Sequence, residues 1–232
     1  MKIKQFRYAA DNFSYLVYDR RSALVVDGGA VAAIQSFLAA NRLELKYLTN
    51  THMHPDHTLG NRELLQGTRA EWLDPRDLPE RSTIEIEGQP IQVLHTPGHT
   101  SDSITLAAAN ALITGDTLFN GTIGNCFSQD LQSFYASIKK LMEWPVETRI
   151  YAGHDYVLDS MAFARKLEPH NTAIDAFLQA YDPAHVTSRL ADEMLVNPYL
   201  RFNTASIKAL LVQKGFPVKT EYQRWQGIMA LE

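Results

Sequence analysis

The pattern of apolar and polar positions divides most of the chain into short strands and helices. Alternating or continuous apolar runs predict strands at 2–9, 13–18, 23–26, 45–50, 91–94, 103–108, 112–114 and 148–152. Helical spacing predicts helices over about 30–41, from 58 to about 65, and from an N-cap at Ser128 to about Met142. Residues 74–90 carry three prolines and many charges and are predicted to form an exposed connector. This mixture of elements is typical of an α/β fold.

The pattern changes near residue 158. From there to the end, helical spacing recurs at 159–167, 171–181 and 203–213, and prolines separate these segments. No strand is predicted in this part of the chain. We therefore predict a main domain over residues 1–157 and a small helical C-terminal extension over residues 158–232.

Composition and charge narrow the class of protein. The chain has 232 residues, of which 45% are hydrophobic and 21% charged, as in an ordinary globular protein. A net charge of −4 argues against a nucleic-acid partner and against a polybasic membrane patch. The single cysteine, Cys126, excludes an internal disulfide, and neither a signal peptide nor a membrane span is visible. These features predict a cytoplasmic location and leave the oligomeric state open.

The segment 51–57 concentrates side chains that bind metals. His52, His54, Asp56 and His57 lie in a predicted strand-to-helix loop, and three of the chain's eight histidines are here. Four ligands packed this tightly cannot all face one ion at tetrahedral angles. The spacing therefore indicates two metal ions, about 3.5–4 Å apart in such sites. The alternative is a polar surface loop with hydrogen-bonded histidines.

Further candidate ligands follow other predicted strands. His99, Asp116 and His154 each come directly after a glycine at a strand end, where the backbone can turn sharply. With the 51–57 segment they make five histidines and two aspartates, enough ligands for two metals. Asp27 also ends a strand, and it could contact a ligand or simply form a turn, which is the commoner role.

Taken together, these motifs closely resemble the metallo-β-lactamase superfamily, and most of all its glyoxalase II branch, the hydroxyacylglutathione hydrolases. The resemblance rests on the motifs Thr-His-x-His-x-Asp-His, Thr-Pro-Gly-His-Thr, Gly-Asp-Thr-Leu-Phe and Gly-His-Asp-Tyr. Residues 11–16 and the segment Asn-Pro-Tyr-Leu-Arg, residues 197–201, are also similar. The resemblance implies an αβ/βα sandwich of two mixed β-sheets flanked by helices. It also implies that the C-terminal extension contributes to the substrate site.

The resemblance implies a role for each ligand. His52, His54 and His99 would bind one metal, and Asp56, His57 and His154 the other, with Asp116 and a hydroxide bridging them. Zinc is the expected metal, with iron or manganese as alternatives. Metal ions can lower the pKa of a bound water to about 7, and the hydroxide would then attack an acyl carbonyl. Asp56 and Asp116 are therefore the predicted catalytic residues. A cysteine replaces the bridging aspartate in the best-known β-lactamases, which argues against lactam substrates.

The implied substrate is a small acyl thioester of the S-lactoylglutathione type. The residues predicted to bind it are Tyr156, Arg201, Asn125 and Phe127. Asn125 stands where a lysine or arginine is expected, and Phe127 where a tyrosine is common. Glutathione as the thiol carrier is therefore left open. Two alternatives also remain: a persulfide dioxygenase with a single iron, and a lactonase or other ester hydrolase on the same fold.

Overall fold

The strands form two mixed sheets, as the resemblance implies. The structure is a computed structural model and describes residues 1–231. The first sheet contains, in spatial order, β1 (Lys2–Tyr8), β2 (Asn12–Tyr18), β3 (Ser22–Val26), β4 (Glu44–Thr49) and β5 (Glu71–Leu73). The second contains β6 (Thr83–Ile86), β7 (Gln89–His95), β8 (Ile104–Ala108), β9 (Ala111–Gly115), β10 (Arg149–Ala152) and β11 (Ser188–Arg189), in the order β11-β10-β9-β8-β7-β6. Strands β3, β4 and β5 run parallel, as do β9 and β10, and the other neighbours are antiparallel.

The helices lie outside the sheets. In the main domain they are α1 (Val31–Asn41), α2 (Pro55–Thr58), α3 (Asn61–Leu65) and α4 (Leu131–Met142). In the C-terminal extension they are α5 (Val157–Leu167), α6 (Ala173–Ala180), α7 (Leu190–Val196), α8 (Ala205–Gln213) and α9 (Glu221–Met229). None of the helices in residues 1–231 has the length and apolar character needed to cross a membrane.

The central strands read as continuous apolar runs because both of their faces are buried. In β3, Leu24 and Val26 belong to the core between the two sheets. Ala23 and Val25 face the other way and join a second core with Ile34 of α1. A strand covered on both faces needs apolar residues at every position, so the run predicted at 23–26 reflects the layered fold.

The C-terminal extension shares a core with the main domain. Trp225 of α9 is fully buried, and its ring lies 5.8 Å from that of Phe134 in α4 and 6.2 Å from that of Tyr199. The same cluster includes Leu112 and Ile150 from the second sheet. The extension therefore packs as a layer on this sheet. The division at residue 157 remains a prediction.

Several elements depart from the sequence-based prediction. The proposed connector at 74–90 contains β6, whose alternating pattern pairs with β7 and buries Ile84 and Ile86. Helix α4 is capped by Asp130, whose carboxylate accepts from the Ser133 N–H, whereas the Ser128 hydroxyl donates to the Gly98 carbonyl. The sequence pattern does not predict strands β5 and β11 or helices α7 and α9. The two strands have three and two residues, too few to show a period.

Candidate metal centre

The seven predicted ligands meet at the carboxyl ends of the strands, although they come from four separate parts of the chain. Their ligand atoms fall into two groups, and within each group the atoms lie within 4.8 Å of one another. The first group comprises His52, His54, His99 and Asp116, and the second comprises Asp56, His57 and His154. The grouping agrees with the assignment that the family resemblance implies.

The spacing within the groups suits coordination by a common ion. His54 Nδ1 lies 3.0 Å from both His52 Nε2 and His99 Nε2. In the second group, His57 Nε2 lies 3.3 Å from His154 Nε2, which lies 3.4 Å from Asp56 Oδ2. Ligand atoms about 2.0–2.1 Å from one tetrahedral ion are separated by roughly 3.3 Å. The donor atoms therefore already stand at distances that a zinc-sized ion requires.

Asp116 lies between the two groups and touches both. Its Oδ1 is 3.4 Å from His57 Nε2, and its Oδ2 is 3.4 Å from His99 Nε2 and 3.5 Å from His154 Nε2. The side chain is buried, yet Oδ1 has no hydrogen-bond partner in residues 1–231. A buried carboxylate oxygen without a donor is costly, and a metal ion would satisfy it. This orphaned oxygen fits a shared ligand of two ions.

Asp27 orients two of the ligands, in addition to forming the turn that the sequence favours. It does adopt a positive φ of 58° at the end of β3. Its fully buried carboxylate also accepts from His57 Nδ1 at 3.0 Å and from the Thr51 N–H and hydroxyl at 2.8 Å. Because the Thr51 proton goes to Asp27, Thr51 Oγ1 can accept from His52 Nδ1, 3.1 Å away. In the neutral form of each ring the proton is therefore on Nδ1, and Nε2 presents its lone pair to the cluster.

The other two predicted Nε2 ligands, His99 and His154, are held in the same way by residues to which the sequence gives no such role. His154 Nδ1 donates to Asp11 Oδ1 at 3.0 Å, and His99 Nδ1 donates to the carbonyl of Asn125 at 2.9 Å. Asn12 donates from Nδ2 to Asp56 Oδ2 at 3.0 Å. By their residue types alone, Asp11 and Asn12 indicate only a turn. Their position in a family motif is the one available signal.

The electrostatics of the cluster favour cations. Burial and the neighbouring imidazoles lower the pKa of His52 to about 2, so its ring is neutral. Burial also acts to lower the pKa of His57, but the carboxylates of Asp27 and Asp116 raise it well above its ordinary value. The cluster thus draws positive charge toward its carboxylates.

The formal charges point the same way. Four carboxylates surround the five imidazoles: Asp11, Asp27, Asp56 and Asp116. Metal ligation requires neutral imidazoles, and the four carboxylates then carry four negative charges, which two divalent cations would neutralise. The donor set of imidazole and carboxylate is also the one that zinc, iron and manganese bind.

Two of the predicted substrate residues flank the cluster. The Tyr156 ring stacks on His154 with ring centres 5.2 Å apart, and burial raises the pKa of its hydroxyl to about 12. The Phe127 ring stands edge-on to His54 and His99, with ring centres 5.5 and 5.2 Å away. Phe127 is 61% exposed and Tyr156 37% exposed. One aromatic side chain therefore borders each ligand group and remains open to solvent.

The other two predicted substrate residues behave differently. Asn125 is exposed, and its backbone carbonyl is the group that holds His99. Arg201 is half-buried and donates from Nε and Nη2 to the buried carboxylate of Glu168, at 2.6 and 2.9 Å. Its Nη1 donates to the Met194 carbonyl. The guanidinium predicted to bind the substrate therefore holds Glu168, because burial of the Glu168 carboxylate demands a cation.

Two sequence profiles match the chain and together cover most of it. Residues 8–73 and 68–154 match the metallo-β-lactamase superfamily. Residues 155–225 match the hydroxyacylglutathione hydrolase C-terminus. The boundary between the two profiles lies at the start of α5.

Similar proteins point to the same family. The hydroxyacylglutathione hydrolase of Alkalilimnicola ehrlichii is 36% identical over 94% of this chain and 88% of its own length. That of Methylobacillus flagellatus is 34% identical over 86% of both chains. Among solved structures, ETHE1 from Myxococcus xanthus has a TM-score of 0.73 at 22% identity, over 100% of this chain and 92% of its own, a likeness of fold. The chain therefore belongs to the metallo-β-lactamase superfamily and, within it, to the hydroxyacylglutathione hydrolase family.

Proposed function

We propose that this protein hydrolyses small acyl thioesters with two divalent metal ions bound by the seven clustered residues, and that these ions are zinc. The observation that carries the proposal is the position of Asp116, whose two oxygens contact both ligand groups while one of them lacks a hydrogen bond. Relatives at 34–36% identity are hydroxyacylglutathione hydrolases, which supports a thioester substrate.

The residues of the chain divide the work of the reaction. Bound divalent ions supply an activated water and a Lewis acid for the acyl carbonyl. Asp27 and Asp11 fix the imidazoles of His57 and His154, so the ligands need no rearrangement when metal binds. A thiolate leaving group has a pKa of about 8.5 and departs without a proton from a side chain. The site therefore suits a thioester better than an ester with an alkoxide leaving group.

The surface beside the predicted metal ligands favours a thioester whose thiol part is recognised by its apolar groups. Phe127 and Tyr156 present exposed ring surface beside the ligands. Position 125 offers a neutral amide, and Arg201 is neutralised by Glu168. We therefore propose that S-lactoylglutathione is hydrolysed but bound weakly, and that an uncharged thioester with the same acyl group is bound about as well.

The test is turnover by protein whose metal content has been measured. S-Lactoylglutathione, a neutral lactoyl thioester and a lactone are the substrates, and glutathione persulfide is tested with an oxygen electrode. We expect two metals per chain and hydrolysis of both thioesters. Asp116→Ala should lose metal and activity while the circular dichroism spectrum is retained. One iron per chain, oxygen consumption with the persulfide and no thioester turnover would instead establish a dioxygenase.

We also propose that the protein acts in the cytoplasm, since a chain with a single cysteine fits a reducing compartment. Cell fractionation followed by immunoblotting tests this location. Recovery in the periplasmic or membrane fraction would contradict it.

A further inference from the structure

The loop of residues 117–125 sets the position of two ligands of the first group. It follows Asp116 directly, and its Asn125 carbonyl accepts from His99 Nδ1 at 2.9 Å. A Cβ added to Gly124 would lie 2.0 Å from the Asp116 carbonyl oxygen and 2.9 Å from His99 Nδ1. The loop backbone thus packs directly against both ligands. A shift of the 117–125 loop must therefore move the His99 ring, the Asp116 backbone, or both.

The C-terminal extension holds this loop through a buried carboxylate. Glu193 of α7 is fully buried, and its Oε2 accepts from the Gly121 N–H at 2.8 Å and from Asn197 Nδ2 at 3.0 Å. Its Oε1 accepts from the Ser188 hydroxyl at 2.6 Å. Asn197 Nδ2 also donates to the Thr122 carbonyl at 3.0 Å. Two side chains of the extension therefore hold the backbone of two neighbouring loop residues, Gly121 and Thr122.

The other bonds of these side chains determine which atom donates. Ser188 Oγ accepts from Asn120 Nδ2 at 2.7 Å, which leaves its own proton for Glu193. Asn197 Oδ1 accepts from the Tyr199 N–H at 3.1 Å, so its NH₂ group faces the carboxylate and the loop. Each group has one consistent role, and a change of Glu193 to an amide would set donor against donor.

We propose that Glu193 and Asn197 are positioning residues of the metal centre: they hold the 117–125 loop so that His99 and Asp116 face the first metal. The second ligand group is held from the first sheet by other residues, so loss of these contacts should weaken one metal site more than the other. The inference rests on metal binding in the proposed function and not on the identity of the substrate.

The experiment compares Glu193→Gln with Glu168→Gln. Both residues are buried carboxylates of the C-terminal extension, but Glu168 bonds to Arg201 and Ser206, and within residues 1–231 no hydrogen bond joins its side chain to the 117–125 loop. Zinc-loaded proteins are titrated with dipicolinate while released zinc is measured. Hydrogen exchange of the loop is followed by mass spectrometry in the zinc-loaded and the zinc-free protein.

We expect Glu193→Gln to release one of its two zinc ions at an about tenfold lower dipicolinate concentration. This is the lower end of the effect of removing a direct partner of a metal ligand, because Glu193 acts through the loop. Its loop should exchange faster in both forms. Glu168→Gln should lower the melting temperature while zinc release and loop exchange stay as in the wild type. A merely structural role of Glu193 would instead make the two variants behave alike.

Two results would overturn the inference. One is zinc release and loop exchange in Glu193→Gln that equal those of the wild type. The other is an equal change of zinc release and loop exchange in Glu193→Gln and Glu168→Gln. If Glu193→Gln does not fold, Asn197→Ser removes the amide donor to the Thr122 carbonyl, and wild-type zinc release from that variant has the same meaning. A chain that binds no zinc at all would refute the proposed function, whereas loop exchange in the zinc-free protein would still decide whether the extension holds the loop.

Discussion

Replacement of Gly153 by alanine should disable the metal centre without straining the backbone. Gly153 lies between β10 and His154, and its φ is not in the left-handed region, so alanine is allowed there by conformation. A Cβ at this position would lie 2.1 Å from Asp116 Oδ1 and 2.9 Å from His57 Cε1. The new methyl group would therefore occupy the space of the shared carboxylate.

The size of the effect follows from these distances. An ordinary carbon–oxygen contact is 3.4 Å or longer, so Asp116 Oδ1 or the backbone must move by about 1.3 Å. Metal–ligand distances vary by only about ±0.2 Å, so coordination by this oxygen would be lost. We expect at least one metal ion per chain to be lost. We also expect kcat/KM for the thioester to fall by about 100-fold or more, which corresponds to about 2.7 kcal/mol.

The assay combines metal analysis after dialysis, steady-state kinetics and thermal unfolding. Gly67→Ala is the matched control, because Gly67 has a φ of 74° and no atom within 4 Å of an added Cβ. That control should cost about 1–2 kcal/mol of backbone strain and leave metal content and kcat/KM unchanged. Full metal content with wild-type kcat/KM in Gly153→Ala would refute the close approach of Asp116 Oδ1 to Gly153 and, with it, the role of this oxygen as a shared ligand.

Three further predictions concern the substrate and the C-terminal extension. Asn125→Lys should lower KM for S-lactoylglutathione about tenfold, with kcat and the KM of a neutral thioester unchanged, because a charge-assisted bond adds uniform binding; an equal decrease for the neutral thioester would contradict it. Arg201→Met should lower the free energy of unfolding, measured with urea, by about 3–5 kcal/mol, because Glu168 is left buried and unpaired; unchanged stability with a raised KM would return Arg201 to the substrate site. Burial raises the pKa of Glu193 to about 7, although three donated hydrogen bonds act to lower it. The wild type should therefore lose roughly 3 kcal/mol of stability as pH rises from about 4.5 to 7, since one pKa unit corresponds to about 1.36 kcal/mol. Glu193→Gln should lack this loss, and parallel pH profiles would disprove the assignment.

The pH effect has a definite sign. Burial makes the Glu193 carboxylate harder to form in the folded chain, where its pKa is about 7, than in the unfolded chain, which ionises near pH 4.5. The folded state therefore binds more protons between these values, and the stability that this provides is complete below about pH 4.5 and lost by about pH 7.

The class of fold and the predicted ligand residues could be read from the sequence because each signal is a short motif or an apolar run, whereas the assignment of these residues to metal ions stays a prediction. The segment 51–57 brings four ligand-type side chains together within a single loop. Strands β9 and β10, which precede Asp116 and His154, are buried on both faces and therefore appear as apolar runs. Where composition hid the alternation, as in β6 among prolines and charges, the prediction was wrong.

Only the tertiary structure decided which residue holds each predicted ligand and whether the guanidinium of Arg201 is already paired. Asp27 meets His57 across 30 residues, and Asp11 meets His154 across 143, so no local pattern could join them. Arg201 resembles a substrate contact in the sequence, but Glu168, 33 residues earlier, takes its guanidinium in the folded chain. The physical reason is the same in each case. A buried imidazole or charge must be satisfied by whichever partner the packed layers bring within hydrogen-bonding distance, and only the folded chain defines that partner.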